Sequence, residues 1–249
     1  MKGVDISHYQ AGLTIRQLRD AGKEFAIIKL TEGDWLVDRA AFNFYHEAYE
    51  LSFPVGCYCY SHAITPQQAT AEAERLIDTL NGFPVPCGVF MDVEEPKQLG
   101  LDHDALLAVL NTWCASVAGR GYIPGVYGSA GTLWAKISPD ELPDGCLVWV
   151  AKWGGSAPDT PCDLWQTSDS GRVDGYGGPV DTDETRGSRL EGLIRGFAGY
   201  VEYKPPDAPT DSGGSKDPVG AAVDLLIAYL KTDEFAQSYK SYIERRSKK

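Results

Sequence analysis

Long apolar runs are absent from this sequence, and so is any excess of positive charge. No segment of the 249 residues approaches the roughly 20 apolar residues that a membrane-spanning helix needs. Lys and Arg together number 23, against 35 for Asp and Glu, which gives a net charge of −12. Nucleic-acid binding needs a basic surface that neutralises phosphates. The composition therefore argues against a membrane span and against a nucleic-acid partner.

The sequence also lacks the signs of secretion and of metal binding. MKGVDISHYQ at the N-terminus has neither an apolar core nor a small-residue cleavage site, so we expect synthesis in the host cytoplasm without a signal peptide. Cys57 and Cys59 form a C-x-C pair without a second pair at zinc-ligand spacing. No glycine loop of the kind that cradles phosphate is present. We therefore expect buried reduced thiols, no metal and no cofactor.

Short β-rich runs recur and alternate with helical patterns in the first half of the chain. Most runs are almost continuously hydrophobic, which is typical of parallel strands covered on both faces. The clearest helical signal has Thr65 as N-cap, Pro66 at the first helical position and Gln68 as the partner in a capping box. The runs lie at 2–7, 25–31, 54–62, 87–94, 123–129, 146–153, 163–168 and 178–183.

This alternation predicts an irregular, TIM-like (β/α) barrel whose late helices are shortened or replaced by loops. An open doubly wound sheet would show a similar alternation. The barrel is favoured because almost every run delivers polar or aromatic residues at its C-terminal end, where barrel enzymes build their sites. These residues are Asp5, Glu32, Tyr60, His62, Asp92, Glu94, Tyr127, Trp153, Gln166, Asp181 and Asp183.

Composition divides the chain into three parts. Residues 1–203 carry the barrel pattern, whereas 204–218 are rich in Pro, Gly, Ser and Asp and predict a linker. In 219–249, an apolar stripe with helical spacing predicts a short amphipathic helical segment. A segment this short cannot bury its own stripe, so we expect it to dock on the barrel or to pair with a second copy.

The segment GVFMDVEEP at 88–96 places acids directly after an apolar strand. Strand alternation predicts that Asp92 and Glu94 point together, whereas Val93 and Glu95 face the other way. Such a pair of carboxyl groups suits glycoside hydrolysis, but acids at a strand end commonly do no more than solvate a loop. Asp5 and Asp181 strengthen the catalytic interpretation, because both follow a valine in the first and last strands, which a closed barrel makes neighbours.

Eight blocks of the sequence, in order and spacing, resemble the glycoside hydrolase family 25 lysozymes over roughly residues 1–200. The blocks are VDISHYQ, IIKLTEG, PVGCYCYSHA, FMDVEEP, GVYGS, VWVAKW, LWQTS and GPVDTDE. The resemblance implies an N-acetylmuramidase that cleaves the β-1,4 bond between N-acetylmuramic acid and N-acetylglucosamine in bacterial peptidoglycan, with retention of configuration.

The resemblance also implies roles for individual acids. Glu94 matches the acid/base, and Asp92 matches the residue that holds the substrate's 2-acetamido group, so that the substrate's own carbonyl oxygen attacks. A direct carboxylate nucleophile is the competing mechanism. Asp5 and Asp181 would orient and tune the pair. The family usually shows asparagine where this chain has Asp183, which would project to the same side as Asp181.

Aromatic and polar residues at strand ends are predicted to contact the sugar. Pyranose rings pack their apolar faces on aromatic side chains, and Tyr60, Tyr127 and Trp153 are the predicted rim residues, whereas Tyr58 and Trp149 are expected to pack in the core. Glu32 and Gln166 are expected to bond to rim groups or sugar hydroxyls, and a purely structural role suits them equally. His8 and His62 are expected to be ordinary polar residues near the cleft.

The sequence leaves alternatives at the level of function. A chitinase-like or endo-N-acetylglucosaminidase barrel shares the D-x-E pattern, but Gly88, Val89 and Phe90 replace the acids that those families place before it. An inactive carbohydrate-binding barrel is the other alternative. As a muramidase, the protein would act as a phage-type endolysin on the wall after release, or as an autolysin exported by another route. The helical tail is expected to mediate self-association rather than wall binding.

Overall fold

The structure, a computed structural model, describes residues 1–197 and residue 199. The strands in this part of the chain are β1 Lys2–Ile6, β2 Phe25–Glu32, β3 Leu36–Val37, β4 Val55–Tyr60, β5 Val89–Asp92, β6 Pro124–Ser129, β7 Leu147–Ala151, β8 Leu164–Gly171 and β9 Val180–Thr185. The α-helices are α1 Ile15–Asp20, α2 Ala41–Leu51, α3 Pro66–Leu80, α4 Pro96–Leu99, α5 His103–Gly119, α6 Leu133–Lys136 and α7 Ser188–Gly196. The predicted linker at 204–218 and helical segment at 219–249 lie outside the described residues.

Eight of the strands close into a barrel. Neighbouring strands run in the order β1, β9, β8, β7, β6, β5, β4 and β2, and β1 pairs with β2 to complete the ring. The two-residue strand β3 forms a hairpin with the end of β2 and stays outside the ring. Helices cover the barrel after the early strands, whereas the four-residue α6 and a 3₁₀ turn at Pro139–Glu141 follow β6, and loops follow β7 and β8. The predicted barrel with shortened late helices is confirmed.

Strand β9 runs opposite to the other strands of the ring. It pairs antiparallel with both β1 and β8, whereas the other pairings in the ring are parallel. The prediction that Asp181 lies at the C-terminal end of its strand was therefore wrong, because Asp181 is the second residue of β9. The reversal still brings Asp181 to the predicted mouth, where it pairs with Asp5.

The helix signals correspond to real caps. The Thr65 hydroxyl accepts a hydrogen bond from the Gln68 backbone N–H at 3.3 Å, and Pro66 opens α3 as predicted. The Gln68 side chain accepts from the Ile64 N–H instead of returning to Thr65, so the reciprocal half of the predicted capping box is replaced by a neighbouring contact. Asn81 ends the helix in the left-handed conformation. Helix α3 is thereby fixed between β4 and β5.

Two apolar clusters hold the barrel. The larger lies between the strands and the surrounding helices, and α3 and α5 pack against each other within it. The smaller fills the barrel interior with large side chains such as Phe25, Phe90 and Trp149, and α7 adds Leu190 and Ile194 to it. The filled interior makes the barrel a solid support for side chains at its mouth.

The cysteines are free thiols, and five of the six are buried. Among the described residues, no cluster of three or more His, Cys, Asp or Glu side chains could hold a metal ion. No helix in the described ranges combines the length and the apolar character needed to cross a membrane.

Candidate active site

The C-terminal ends of the parallel strands surround an open cleft of about 1130 Å³. Residues from every strand of the ring line it, together with the segments that follow β1, β2, β4 and β5. The lining residues are Asp5, Ile6, Ser7, His8, Tyr9, Gln10, Lys29, Glu32, Trp35, Tyr58, Tyr60, His62, Asp92, Glu94, Glu95, Tyr127, Trp149, Gln166, Pro179 and Asp181. The cleft is at the upper end of, or above, the size range of ordinary small-molecule pockets.

Asp92 and Glu94 reach the cleft from very different environments. Asp92 ends β5 and is 6% exposed, whereas Glu94 lies in the following loop and is open to solvent. Burial raises the pKa of Asp92 well above its usual value, and the charge of Glu94 raises it further. Partial desolvation by the cleft walls also raises the pKa of Glu94, and the nearby Tyr127 hydroxyl lowers it. The pair therefore keeps a proton to higher pH than two isolated carboxyl groups would.

Asp5 and Asp181 lie side by side on adjacent antiparallel strands at the same mouth. Asp5 is 6% exposed, and its pKa is raised well above the usual value by burial first and then by Asp183 and Asp181. Burial raises the pKa of Asp181 to about 6, and the charges of Asp169 and Glu94 add to this effect. The structure therefore brings the four predicted acids of β1, β5 and β9 to one cleft.

Asp183 and Asp181 both project into the barrel, but Asp183 lies deeper, further from the mouth. Asp183 pairs with Gly3 in the strand register, two residues further from the mouth than the pairing of Asp181 with Asp5. It is 1% exposed and does not line the cleft. Of the two aspartates, Asp181 is therefore the one that substrate can reach.

Gln166 connects Asp5 to two aromatic side chains. Its Nε2 donates to Asp5 Oδ2 at 2.8 Å, and this contact lowers the pKa of Asp5 against the effect of burial. Its Oε1 accepts from the Tyr127 hydroxyl at 3.0 Å and from the Trp153 indole N–H at 2.9 Å. These contacts fix the orientation of the Gln166 amide, and Gln166 in turn holds the Asp5 carboxyl group in place.

Of the three aromatic residues predicted at the rim, two line the cleft and one lies outside it. Tyr60 and Tyr127 line the cleft, whereas Trp153 is 53% exposed and does not contribute to its lining. Tyr58 and Trp149 were expected in the core, but both line the cleft, and Trp149 does so while only 2% exposed. Its ring packs tilted against Tyr127, with 4.4 Å between the ring centroids. Trp149 thus belongs to the core and to the cleft floor at once.

One group of charged residues was missed by the strand pattern. Glu95 was predicted to face away, but β5 ends at Asp92, and Glu95 faces the cleft and accepts from the Tyr60 hydroxyl at 3.0 Å. Lys29 is 7% exposed and bonds to Glu32 at 2.8 Å. A lysine inside the apolar run IIKLTEG was the available signal for Lys29.

Glu32 lines the cleft as predicted, and its neighbours keep it ionised. The β2 to β4 pairing shifts register between Lys29 and Thr31, and Glu32 lies on the same side as Lys29 although the two are three residues apart. The hydrogen bond from His62 and the charge of Lys29 lower the pKa of Glu32 to about 2, against the effect of burial. Glu32 therefore contributes a permanent negative charge to the wall of the cleft.

A closed α/β barrel with carboxyl groups of unequal pKa at the C-terminal mouth has the features of a barrel glycoside hydrolase. The family model for glycosyl hydrolases family 25 matches residues 4–176 of this chain. The match covers more than half of the sequence, and its range holds Asp5, Asp92 and Glu94. The chain belongs to glycosyl hydrolase family 25.

Relatives of known name agree with this assignment. The chain is 30% identical to the autolytic lysozyme of Clostridium acetobutylicum over 214 residues, which cover 85% of this chain and 62% of that protein. It is 29% identical to lysozyme M1 of Streptomyces globisporus over 205 residues, which cover 76% of this chain and 68% of that one. The alignment thus spans less than two thirds of the clostridial enzyme's length.

Solved structures share the barrel. The bacterial lysozyme of Streptomyces coelicolor superposes with a TM-score of 0.69 at 28% identity, over 80% of this chain and 98% of that chain. The catalytic domain of endolysin ply40, from a bacteriophage of Listeria monocytogenes, superposes with a TM-score of 0.67 at 24% identity, over 78% and 97% of the two chains. The second comparison supports the fold alone.

Proposed function

We propose that this chain is a muramidase that hydrolyses the β-1,4 bond between N-acetylmuramic acid and N-acetylglucosamine in bacterial peptidoglycan. The observation that carries the proposal is the convergence of Asp5, Asp92, Glu94 and Asp181 on one cleft. Family membership and the names of the relatives, which include lysozymes and an N,O-diacetylmuramidase of Arthroderma benhamiae, support the substrate class. The clustered acids favour an active enzyme over an inactive carbohydrate-binding barrel.

Glu94 is the proposed acid/base. It extends into the open part of the cleft, where a glycosidic oxygen can approach it, and partial desolvation raises its pKa above the usual value. It first protonates the leaving oxygen as the bond from that oxygen to the anomeric carbon breaks. It then takes a proton from the water that attacks the anomeric carbon.

Asp92 is the proposed partner of the substrate's 2-acetamido group. Its Oδ1 is buried and has no hydrogen-bond donor among the described residues. A buried acceptor without a donor is costly, and the N–H of an acetamido group would supply one. The carbonyl oxygen of that group would then attack the anomeric carbon from the face opposite to the leaving oxygen. Attack by water opens the resulting ring with a second inversion, so that the configuration is retained.

The acid/base assignment is tested by Glu94→Gln with Glu95→Gln as the matched control. The two glutamates are adjacent and both line the cleft, but only Glu94 is expected to transfer the proton. We expect Glu94→Gln to lower the rate of turbidity loss of a purified Gram-positive wall suspension by about 10²–10⁴-fold. The rate of turbidity loss should fall far less in Glu95→Gln. Comparable lysis by Glu94→Gln, or a deeper loss in Glu95→Gln, would contradict the assignment.

An endolysin role is part of the same proposal. Cells that express the full chain should stay intact until chloroform opens their membrane, and they should then lyse. Lysis of expressing cells whose membrane is intact would instead support an enzyme that reaches the wall by export.

A further inference from the structure

We propose that Asp183 is a positioning residue that shares one proton with Asp5 in the floor of the cleft, and that this carboxyl pair fixes the orientation of Asp5 beneath the substrate. The effect on turnover rests on the proposed muramidase function. The shared proton itself can be observed without any substrate, so the two proposals can fail separately.

The position of Asp183 is set by the reversed strand. On β9 it pairs with Gly3 of β1 on one side and with Gln166 of β8 on the other. Asp5 lies two residues further along β1 toward the mouth, opposite Asp181. Asp183 is 1% exposed, so bulk water does not solvate its carboxyl group. A charge on this group would therefore depend on protein partners alone.

The two oxygens of Asp183 differ in their partners. Oδ1 accepts a hydrogen bond from the Trp149 indole N–H at 2.9 Å. Oδ2 is buried and has no donor among the residues that the structure describes, although the Asp5 carboxyl group is within hydrogen-bonding reach of Asp183. Two facing carboxylates have no hydrogen between them, so a shared proton is what can satisfy both. Gln166 Nε2, which donates to Asp5 Oδ2, completes the set of contacts around Asp5.

The surrounding charges favour retention of this proton. The groups that face Asp183 are Asp5 on β1, Asp181 on β9, Tyr127 on β6 and Lys23 before β2. Burial raises the pKa of Asp183 to about 8, although the hydrogen bonds with Trp149 and Asp5 and the charge of Lys23 lower it. Burial and the charges of Asp183 and Asp181 raise the pKa of Asp5 as well. At neutral pH the pair therefore retains a proton.

Loss of the shared proton affects both the orientation of Asp5 and the free energy of unfolding. Above about pH 8, two adjacent carboxylates repel each other, and Asp5 loses the partner that orients it. Stability responds at lower pH, because an unfolded aspartate has a pKa of about 3.9. Between about pH 4 and pH 8 the folded protein binds more protons than the unfolded chain, so this pair makes the free energy of unfolding fall as pH rises.

The indole N–H resonance of Trp149 reports the proton directly, because it is bonded to Asp183. We expect this ¹H–¹⁵N signal of the full chain to shift with pH around a midpoint near 8. Asp183→Asn should abolish that step, since an amide does not ionise. Asp181→Asn, the same change two residues earlier on β9, should retain a step. A wild-type signal that is constant from pH 5 to pH 9.5, or a step that persists in Asp183→Asn, would overturn the proposal.

Turnover supplies the second measurement. The amide introduced by Asp183→Asn would offer Asp5 a neutral donor at every pH, so the ratio of kcat/KM in this variant to that in the wild type should rise by about threefold or more between pH 7 and pH 9. A constant ratio in folded protein would contradict the positioning role. If neither protein cleaves peptidoglycan while the Trp149 step behaves as expected, the proposed function fails and the shared proton stands.

Discussion

At the scale of single residues, burial separates two carboxyl groups that lie only two positions apart. Asp92 is enclosed by the barrel, whereas Glu94 lies past the end of β5 in the open cleft. The pKa of both acids is raised, so what separates their tasks is access, since Glu94 alone of the two is open to solvent. In this cleft the enclosed acid suits a fixed contact with substrate, and the open acid suits proton transfer.

Replacement of Asp92 tests the fixed contact. We expect Asp92→Asn to lower kcat by about 10²-fold or more with a smaller change in KM, because an amide that presents its NH₂ cannot accept from the acetamido N–H during attack. Steady-state kinetics on soluble glycan strands would measure both constants. A rise in KM with unchanged kcat would show that Asp92 binds substrate equally well before and during reaction.

A separate experiment on Asp92 distinguishes the two possible nucleophiles, the acetamido oxygen of the substrate and the Asp92 carboxylate. If Asp92 attacked the sugar directly, a covalent adduct on Asp92 should accumulate in Glu94→Gln incubated with substrate. Intact-protein mass spectrometry followed by peptide mapping would detect it. The substrate-assisted mechanism predicts no such adduct.

Residue patterns predicted the acids of the cleft better than the other residues that line it. Asp92 could be predicted because it directly follows an apolar run and ends the strand. Glu95 was missed because strand alternation was extended beyond Asp92, the last residue of the strand. Pro96 was the available signal, since a proline that opens α4 marks the chain as already turned. Trp149 was assigned to the core alone because alternation cannot show how deep the cleft reaches.

At the scale of elements, the eight strands could be predicted from their apolar runs, but the direction of the last one was not. The last run, GPVDTD, has Val180 as its one aliphatic residue, so its pattern does not indicate a direction. The connection between β8 and β9 is residues 172–179, which is too short for the crossover of a dozen or more residues that a parallel strand needs. Its length was therefore the overlooked signal, and it explains why Asp181 lies near the start of its strand and not at the end.

The barrel wall gives a prediction of its own at Gly125 on β6. A Cβ at this position would lie 2.4 Å from the ring of Phe90, which is fully buried in the barrel interior beside Trp149. We expect Gly125→Ala to lower the free energy of unfolding by about 1–3 kcal/mol, because the ring must move within a filled interior. Urea unfolding at constant pH would measure the change.

Gly119→Ala is the matched control for this substitution. Gly119 ends α5, and a Cβ there meets no atom within 4 Å. Alanine favours a helix over glycine by up to about 1 kcal/mol, so the control should be neutral or stabilising. Equal destabilisation by both changes would show that the close contact with Phe90 is not the cause.

At the scale of the whole molecule, the order of the elements predicts a closed barrel and the end of it that carries the cleft. The predicted linker and helical segment lie outside the described residues, so the structure does not test them. Self-association through 219–249 stays a prediction based on the apolar stripe of that segment. Sedimentation of the full chain beside residues 1–206 would test it. A monomer mass for the full chain at every concentration would contradict it.

The proposed reaction is cleavage, by the acids at the barrel mouth, of the bond that follows N-acetylmuramic acid. The direct measurement is mass spectrometry of peptidoglycan digested by the full chain and then reduced with borohydride. We expect the new reducing ends to be muramic acid residues, recovered as muramitol, and to be absent from a Glu94→Gln digest. New reducing ends on glucosamine would rule out a muramidase and would indicate a glucosaminidase.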